Sequence, residues 1–460
     1  MVRSQIIICL VSLIHLKASV SPSSVAEIQL GIQKLGTLAN VLYVAAHPDD
    51  ENTRFIAYMA NEVLAETTYL SLTRGDGGQN LLGDDLGYKL GIARTHELLA
   101  ARDIDGGKQF FSRANDFGFS KSAVESIEIW EKDLVMADVV WAIRKLRPDV
   151  IITRFSPIPG FTHGHHTAAT QLAIEAFDLA ADSEQFPEQL QWVRPWQAKR
   201  IVWNTSRGFY RSRGVVRIPV GMVTVDVGVY NPTLGMAYSE IAATSRSAHK
   251  TQGFGSTAQL GESIEYFEHL RGDPAQKDLL EGVDISWSRL EGGESIGDQV
   301  AELQMSFDSS NPQGSVRGLL EISAALERLH DSFWKLRKLD EVQDLIFACI
   351  GLDIEWLSSE VEGIPGTRID GQLAAIHRSD FDVKLRLDVS VEPRTLGFNQ
   401  LVRLPLSIDI PENAQVSQPY WLREEGGLGS YEVNDQNMIG LPEGISAVAK
   451  TVEVIVEGIP

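Results

Sequence analysis

Between about residues 25 and 265 two kinds of apolar pattern alternate, and this alternation limits the fold more than any other feature. Stretches of helical period, such as "VAEIQLGIQKL" and "VVWAIRKLRP", exchange with short apolar runs, "NVLYVAA", "TTYLSLT" and "DVIITRF". Short runs apolar at nearly every position read as strands buried on both faces, and strands joined by helix-length crossovers pair in parallel. The expectation is an α/β domain: a Rossmann-like, mostly parallel sheet with helices on both faces. In such sheets ligands collect at the carboxyl ends of the strands.

The flanks read differently. "MVRSQIIICLVSLIHLKASVSPSS" sets Arg3 ahead of a mostly apolar run from Ile6 to Leu16, with small residues at Ala18 to Ser21. That is the order of a secretory signal peptide, so residues 1–20 are expected to direct export to the periplasm or exterior. The α/β domain then occupies 21–265. A helical region is expected over 266–375, where Leu319, Ile322, Leu326, Leu329, Phe333 and Leu336 draw one stripe on a helix. Packing against a second local helix, "VQDLIFACIGLDIEWL", accounts for the stripe. From 376 to 460 the period becomes two, as in Val383, Leu385 and Leu387 and again in Val402, Leu404 and Leu406, which predicts a β-sandwich-like module. The stop directly after a strand-like run suggests that this module continues in a longer polypeptide.

Composition removes some function classes. A formal charge of -21 repels phosphate backbones, so nucleic acid is not an expected partner. No later segment reaches the 18 or so consecutive apolar residues of a membrane span. Once a signal is removed only Cys349 remains, which forbids an intrachain disulfide and reads as a buried small hydrophobe.

The chemistry concentrates in "VLYVAAHPDDENT", where His47, Asp49, Asp50 and Glu51 follow a strand within five positions. Acids so close repel one another or take up protons unless something positive sits among them. Imidazole and carboxylate oxygen are both ordinary zinc ligands, and a catalytic zinc site uses three protein ligands with a position left for water. A further ligand is expected from a second strand end, "DVIITRFSPIPGFTHGHHTAA", which presents His163, His165 and His166 before a helix.

"AHPDDE" followed by a strand-end "HxxH" resembles the zinc-dependent de-N-acetylases of the PIG-L/LmbE type, and the "TRGDGGQN" loop and "ARTHELLAA" helix are similar too. "SRSAHKTQGFGS" looks like a subgroup of exported bacterial members with additional C-terminal domains. The resemblance spans about residues 38–265. It implies His47, Asp50 and His166 as zinc ligands, Asp49 as the general base acting on a metal-bound water, and His163 as the group that steadies the oxyanion or protonates the leaving amine. Zinc is the implied cofactor, with another divalent metal as the alternative. The substrate would be an N-acetylglucosamine-containing sugar or glycoconjugate, losing acetate. One departure is visible: family members often carry an acidic residue where this chain has His165, so His165 and His166 both stand as ligand candidates, with the i, i+3 spacing from His163 favouring His166.

Other polar residues have competing readings. Arg74 and Asp76 on the Gly-rich loop, and His249 in "SRSAHKTQG", are candidates for substrate contact, or for turn and packing roles. Arg94 and Glu97 have the spacing of a structural ion pair. Gly293 to Gly297 matches G-x-S-x-G, but in a polar stretch unlike a nucleophile elbow. The alternative to an enzyme is a secreted carbohydrate-binding or surface module with a vestigial metal site. The intact set of His47, Asp49, Asp50, His163 and His166 argues against decay.

Overall fold

The apolar run ahead of the acidic cluster forms strand β1, Asn40–Ala45, with every residue buried. The computed structural model describes residues 19–20, 23–160, 162–215, 221–253, 255–388, 390–446 and 448–458. The expected export signal, residues 1–20 with Cys9, lies outside the described residues except for Ser19 and Val20. Two compact units emerge: Leu38–Ile285 joined by Gln418–Gly444, and the described residues up to Thr37 joined by Ser286–Ser417 and those from Ile445 onward.

The first unit is built on a seven-stranded sheet. Its strands are β1, β2 (Glu66–Ser71), β3 (Lys108–Phe111), β4 (Val150–Thr153), β5 (Arg200–Thr205), β6 (Val223–Asp226) and β7 (Ile264–Gly272), in the spatial order β3-β2-β1-β4-β5-β7-β6. The first five run parallel, and β7 pairs antiparallel with β5 and β6. Alternate residues of β1 enter opposite cores, Val41, Tyr43 and Ala45 on one face and Leu42 and Val44 on the other. The near-continuous apolar character of the run follows from this double burial. Helices α1 (Thr53–Asn61), α2 (Tyr88–Asp105), α3 (Ala123–Ile129), α4 (Lys132–Leu146), α5 (Gly164–Leu179), α6 (Arg207–Ser212) and α7 (Tyr238–Arg246) belong to this unit. Phe55, Ile56 and Met59 of α1 pack on the Tyr43 face, while α4 and α5 supply Val139, Ile143, Leu172 and Ala173 to the Leu42 face. From β1 the chain builds outward to β2 and β3, then crosses to β4 on the other side of β1. The crevice between the ends of β1 and β4 is therefore the topological switch point of the sheet.

Residues 418–444 form a strap along the outer strand of this sheet. Phe111 donates its N–H to Gly440 O at 3.0 Å, Asn115 to Gly429 O at 2.8 Å and Tyr431 to Arg113 O at 2.8 Å. Trp141 donates from Nε1 to Ile439 O at 3.0 Å, and Tyr420, Trp421, Tyr431 and Ile439 join the core. The strap thus covers the unpaired side of β3, an edge that would otherwise invite pairing with another chain. Gly440, at φ 98°, comes so close that a Cβ would lie 1.8 Å from the Phe110 ring. The strap carries no sheet or helix period that would mark it, so residues expected within a C-terminal β module belong to the α/β unit.

The second unit contains helices Val25–Lys34, Glu294–Ser306, Val316–Glu327 and Ser332–Cys349, with strands in small separate sheets. One sheet orders Ser19–Val20, Asp353–Ser358, Gly371–Ile376 and Val402–Pro405; another places Val383–Arg386 between Arg394–Leu396 and Glu453–Val456. The expected single stripe from Leu319 to Leu336 is corrected. It runs over two helices that pack on each other, broken before Asp331, whose carboxylate caps the second by accepting the Trp334 N–H at 2.8 Å. Leu319, Ile322 and Leu326 are buried and Leu336 is exposed. "VQDLIFACIGLDIEWL" is the end of that second helix followed by a strand. Cys349 is buried and free, and burial pushes its thiol up to about 12.

Candidate metal centre and cleft

The turn after β1 gives four consecutive polar residues, Asp49 to Asn52, different tasks. The N–H of Asp50 donates to His47 O at 3.2 Å, and the His47 N–H donates to Asp50 Oδ2 at 2.8 Å. This closes the turn with the Asp50 carboxylate folded against the His47 ring. Asp49, between them, lies at φ 99°, a region that costs a side-chain-bearing residue about 1–3 kcal/mol and is often found at functional sites. Glu51 points inward and is 2% exposed. Asn52 caps α1 by accepting the Phe55 N–H at 3.3 Å.

The second cluster arrives on the first turn of α5. His163 is the N-cap residue, with His165 and His166 in the turn it begins. The rings of His163 and His166 lie 5.3 and 5.1 Å from that of His47. Phe155, just after β4, stacks face to face on His166 at 3.7 Å and fixes its plane.

Among the described residues, two triplets have donor atoms within 4.8 Å of one another, His47 with Asp50 and His166, and His47 with His163 and His165. The first suits a divalent cation better. Asp50 turns Oδ2 to His47 Nδ1 at 3.1 Å and Oδ1 to His166 Nε2 at 3.4 Å. Tetrahedral ligands at bond lengths of about 2.1 Å stand about 3.4 Å from one another, so this spacing suits one ion. In the second triplet both His163 nitrogens already face backbone N–H groups, that of His165 at 3.1 Å and that of Ser120 at 3.3 Å. His165 is wholly buried, with Phe117 and Trp130 at ring distances of 4.4 and 4.5 Å. Its Nδ1 lies 3.0 Å from His47 Nε2. A metal-binding histidine needs an acceptor for its other N–H, usually a carboxylate or carbonyl, and His165 stands there.

The electrostatics agree with a place for positive charge. Burial, with the charges of His47, His163 and His166 nearby, depresses His165 to about 2, so it stays neutral. Burial also lowers His47, but Asp50 outweighs it and pushes that imidazole up to about 9. Asp49 is raised to about 7 by burial and by the adjacent Asp50 and Glu51.

In front of Asp49, Asp50 and His166 opens a cleft of about 940 Å³, lined also by Arg54, Arg154, Arg207, Arg246 and Tyr266. Arg154 braces the site by donating from Nε to Asp50 O at 3.1 Å. Sequence reasoning missed it, although its place directly after β4, at a strand's carboxyl end, was a signal.

The three candidates for substrate contact lie elsewhere. Arg74, 1% exposed, sits over the Trp421 ring at 3.4 Å and donates to Thr95 Oγ1, Tyr420 Oη, Leu441 O and Pro442 O. Asp76 is buried against Gly91, where a Cβ would come within 2.0 Å of its Oδ1. His249 is wholly buried on Glu51, Nε2 to Oε1 at 3.0 Å. None of the three lines the cleft; their polarity was visible in sequence and the partners that occupy them were not. Arg94 and Glu97 serve different partners instead of a mutual ion pair: Arg94 donates to Gln79 O, and Glu97 accepts from Thr251. Ser295, in the G-x-S-x-G match, is exposed on the first turn of a helix in the other unit.

Known proteins resemble the chain through this unit. The PIG-L family pattern, described as GlcNAc-PI de-N-acetylase, matches residues 42–177. A 1D-myo-inositol 2-acetamido-2-deoxy-alpha-D-glucopyranoside deacetylase of Streptomyces avermitilis is 30% identical over 288 residues, covering 53% of this chain and 97% of that protein. A mycothiol S-conjugate amidase of Streptomyces coelicolor is 28% identical over 38% of this chain and 62% of its own length. Among solved structures, the N,N'-diacetylchitobiose deacetylase of Pyrococcus horikoshii aligns with a TM-score of 0.34 and 18% identity, over 50% of this chain and 75% of that one.

Proposed function

Because the chain belongs to the PIG-L family and is an amidohydrolase of that family, we propose that it removes the N-acetyl group from an N-acetylglucosamine-containing sugar or glycoconjugate. The observation that carries this reading is the convergence of His47, Asp50 and His166, with Asp49 beside them, at one end of an open cleft. The Streptomyces avermitilis relative, named as the deacetylase of a 1D-myo-inositol 2-acetamido-2-deoxy-alpha-D-glucopyranoside, supports the substrate class.

His47, Asp50 and His166 would hold a divalent ion, for which zinc is our assignment. When bound, such an ion supplies a Lewis acid that acidifies water and polarises an amide carbonyl. Asp49 accepts the proton of the attacking water, a task suited to a carboxylate that lines the cleft beside the ligand Asp50. It returns that proton toward the departing amine. His163 steadies the developing oxyanion from Nε2, for which the long 3.3 Å contact with Ser120 must give way. Arg154 keeps the Asp50 backbone in place, and Phe155 keeps the His166 ring in the plane that faces Asp50. The order of basic, apolar and small residues in 1–20 supports export, which N-terminal sequencing of the secreted or periplasmic protein would check.

The test is acetate release from N-acetylglucosaminyl-inositol and other N-acetylglucosamine conjugates by the zinc-loaded full chain, with a chelated control. Release that vanishes on chelation and returns with zinc is expected. No release from any N-acetylated sugar by protein that carries the metal would overturn the reading.

A further inference from the structure

The segment Ser245–Gln252, from the end of α7 onward, makes a set of contacts with the turn that carries the site. Arg246 donates from Nη1 to Asp49 O at 3.0 Å. His249 Nε2 meets Glu51 Oε1 at 3.0 Å, and Gln252 donates to Pro48 O at 3.0 Å. Ser245 donates to Asp105 Oδ2 at 2.7 Å, Asp105 pairs with Arg102 at 2.6 Å, and Arg102 reaches Glu51 Oε1 at 3.2 Å. Glu51 Oε2, at the end of this chain, accepts the Asp49 N–H at 3.0 Å.

Asp49 is thus gripped from both sides of its α-carbon, its N–H by Glu51 and its C=O by Arg246. This is the residue at φ 99°. A side-chain-bearing residue left to itself leaves that region for negative φ, and the rotation would swing its carboxylate away from the place it now holds. The supports are deeply buried, Glu51 2% exposed, Arg102 4%, Asp105, Ser245 and His249 all 0%, while Arg246 itself is half-buried at the cleft wall. The guanidinium of Arg246 is committed to the Asp49 carbonyl, which suits a brace.

We infer that Arg246 is a positioning residue for Asp49, and that Ser245–Gln252 is a clamp holding the reactive turn in its strained conformation. The inference rests on Asp49 being the proton acceptor. It accounts for four of the eight residues of the "SRSAHKTQ" run: Ser245, Arg246, His249 and Gln252 each hold the turn or its supports.

The experiment compares the zinc-loaded full chain with Arg246→Ala, Arg246→Lys, Asp49→Ala and the Asp49→Ala/Arg246→Ala double variant. It reads kcat, KM, zinc content and amide hydrogen exchange over residues 45–53. Arg246→Ala is expected to lower kcat by about tenfold to a hundredfold, with KM and zinc content unchanged, and to speed exchange in that segment alone. Arg246→Lys should recover part of kcat, and the double variant should be no slower than Asp49→Ala. Unchanged exchange and kcat in Arg246→Ala would overturn the inference. So would a raised KM at constant kcat, the mark of a substrate contact. If the wild type hydrolyses no N-acetylated sugar, the proposed function has failed, and the exchange measurement still decides the clamp.

Discussion

The turns after β1 and β2 stand side by side at one edge of the same sheet, and both are rich in charge. The β1 turn sends Asp49 and Asp50 to the cleft, while the β2 turn, with Arg74 and Asp76, is covered by the strap and helix α2. Position at a strand's carboxyl end therefore qualifies a side chain for chemistry without assigning it any. What decides is whether another part of the chain has taken up its hydrogen bonds. Glu51 makes the same point within one turn: it lies beside two cleft-facing aspartates and is held by Arg102 and His249.

The sharpest way to test that contrast is to remove the turn's function on one side and its packing on the other. His47→Ala and His166→Ala are each expected to abolish stoichiometric zinc binding, read by elemental mass spectrometry on folded protein; full occupancy in either would remove that residue from the site. Asp49→Ala should keep metal and melting temperature yet lower kcat by about a thousandfold, within the range of general acid–base groups. Turnover near that of the wild type would end its role as base.

On the β2 side the losses should fall on stability. Arg74→Ala removes the donor to Tyr420 Oη and to Pro442 O and one of two donors to Leu441 O, and opens a void under Trp421, so a destabilisation of about 3 kcal/mol is expected in denaturant unfolding. A variant that melts normally but shows a raised KM would break the comparison, since Arg74 would then be reaching substrate. Asp76 offers the smallest effect and a definite sign. Burial raises its carboxyl to about 6, above the value of about 3.9 in an unfolded chain. Its favourable contribution is therefore present below about pH 4 and is lost as pH rises through about 6. Measured against Asp76→Asn, the wild type should lose a few degrees of melting temperature over that window; a difference constant with pH would mean the carboxyl is ionised throughout.

How much of this was legible follows from how local each signal is. The doubly buried β1, the acids directly after it and the histidines at the start of α5 are contiguous in sequence, and the alternation of elements brings two strand ends together. The break before Asp331 was also written locally, as an N-cap inside an apolar stripe that looked continuous. The strap was not legible: Tyr420, Trp421 and Tyr431 have no period, and their partners lie some three hundred residues earlier. For the same reason Arg74 and His249 read as available. The contacts that bury them come from segments with no pattern linking them to the turn.

The strap also sets an order of events in the making of the protein. The outer strand, complete at Phe111, receives its bond to Gly440 only after about 330 further residues have been synthesised. At about 5–20 residues per second, that is roughly a quarter of a minute to a minute. Until then the Phe111 N–H and the Phe110 ring lack the strap that covers them, and pairing with a neighbouring copy competes with the native closure.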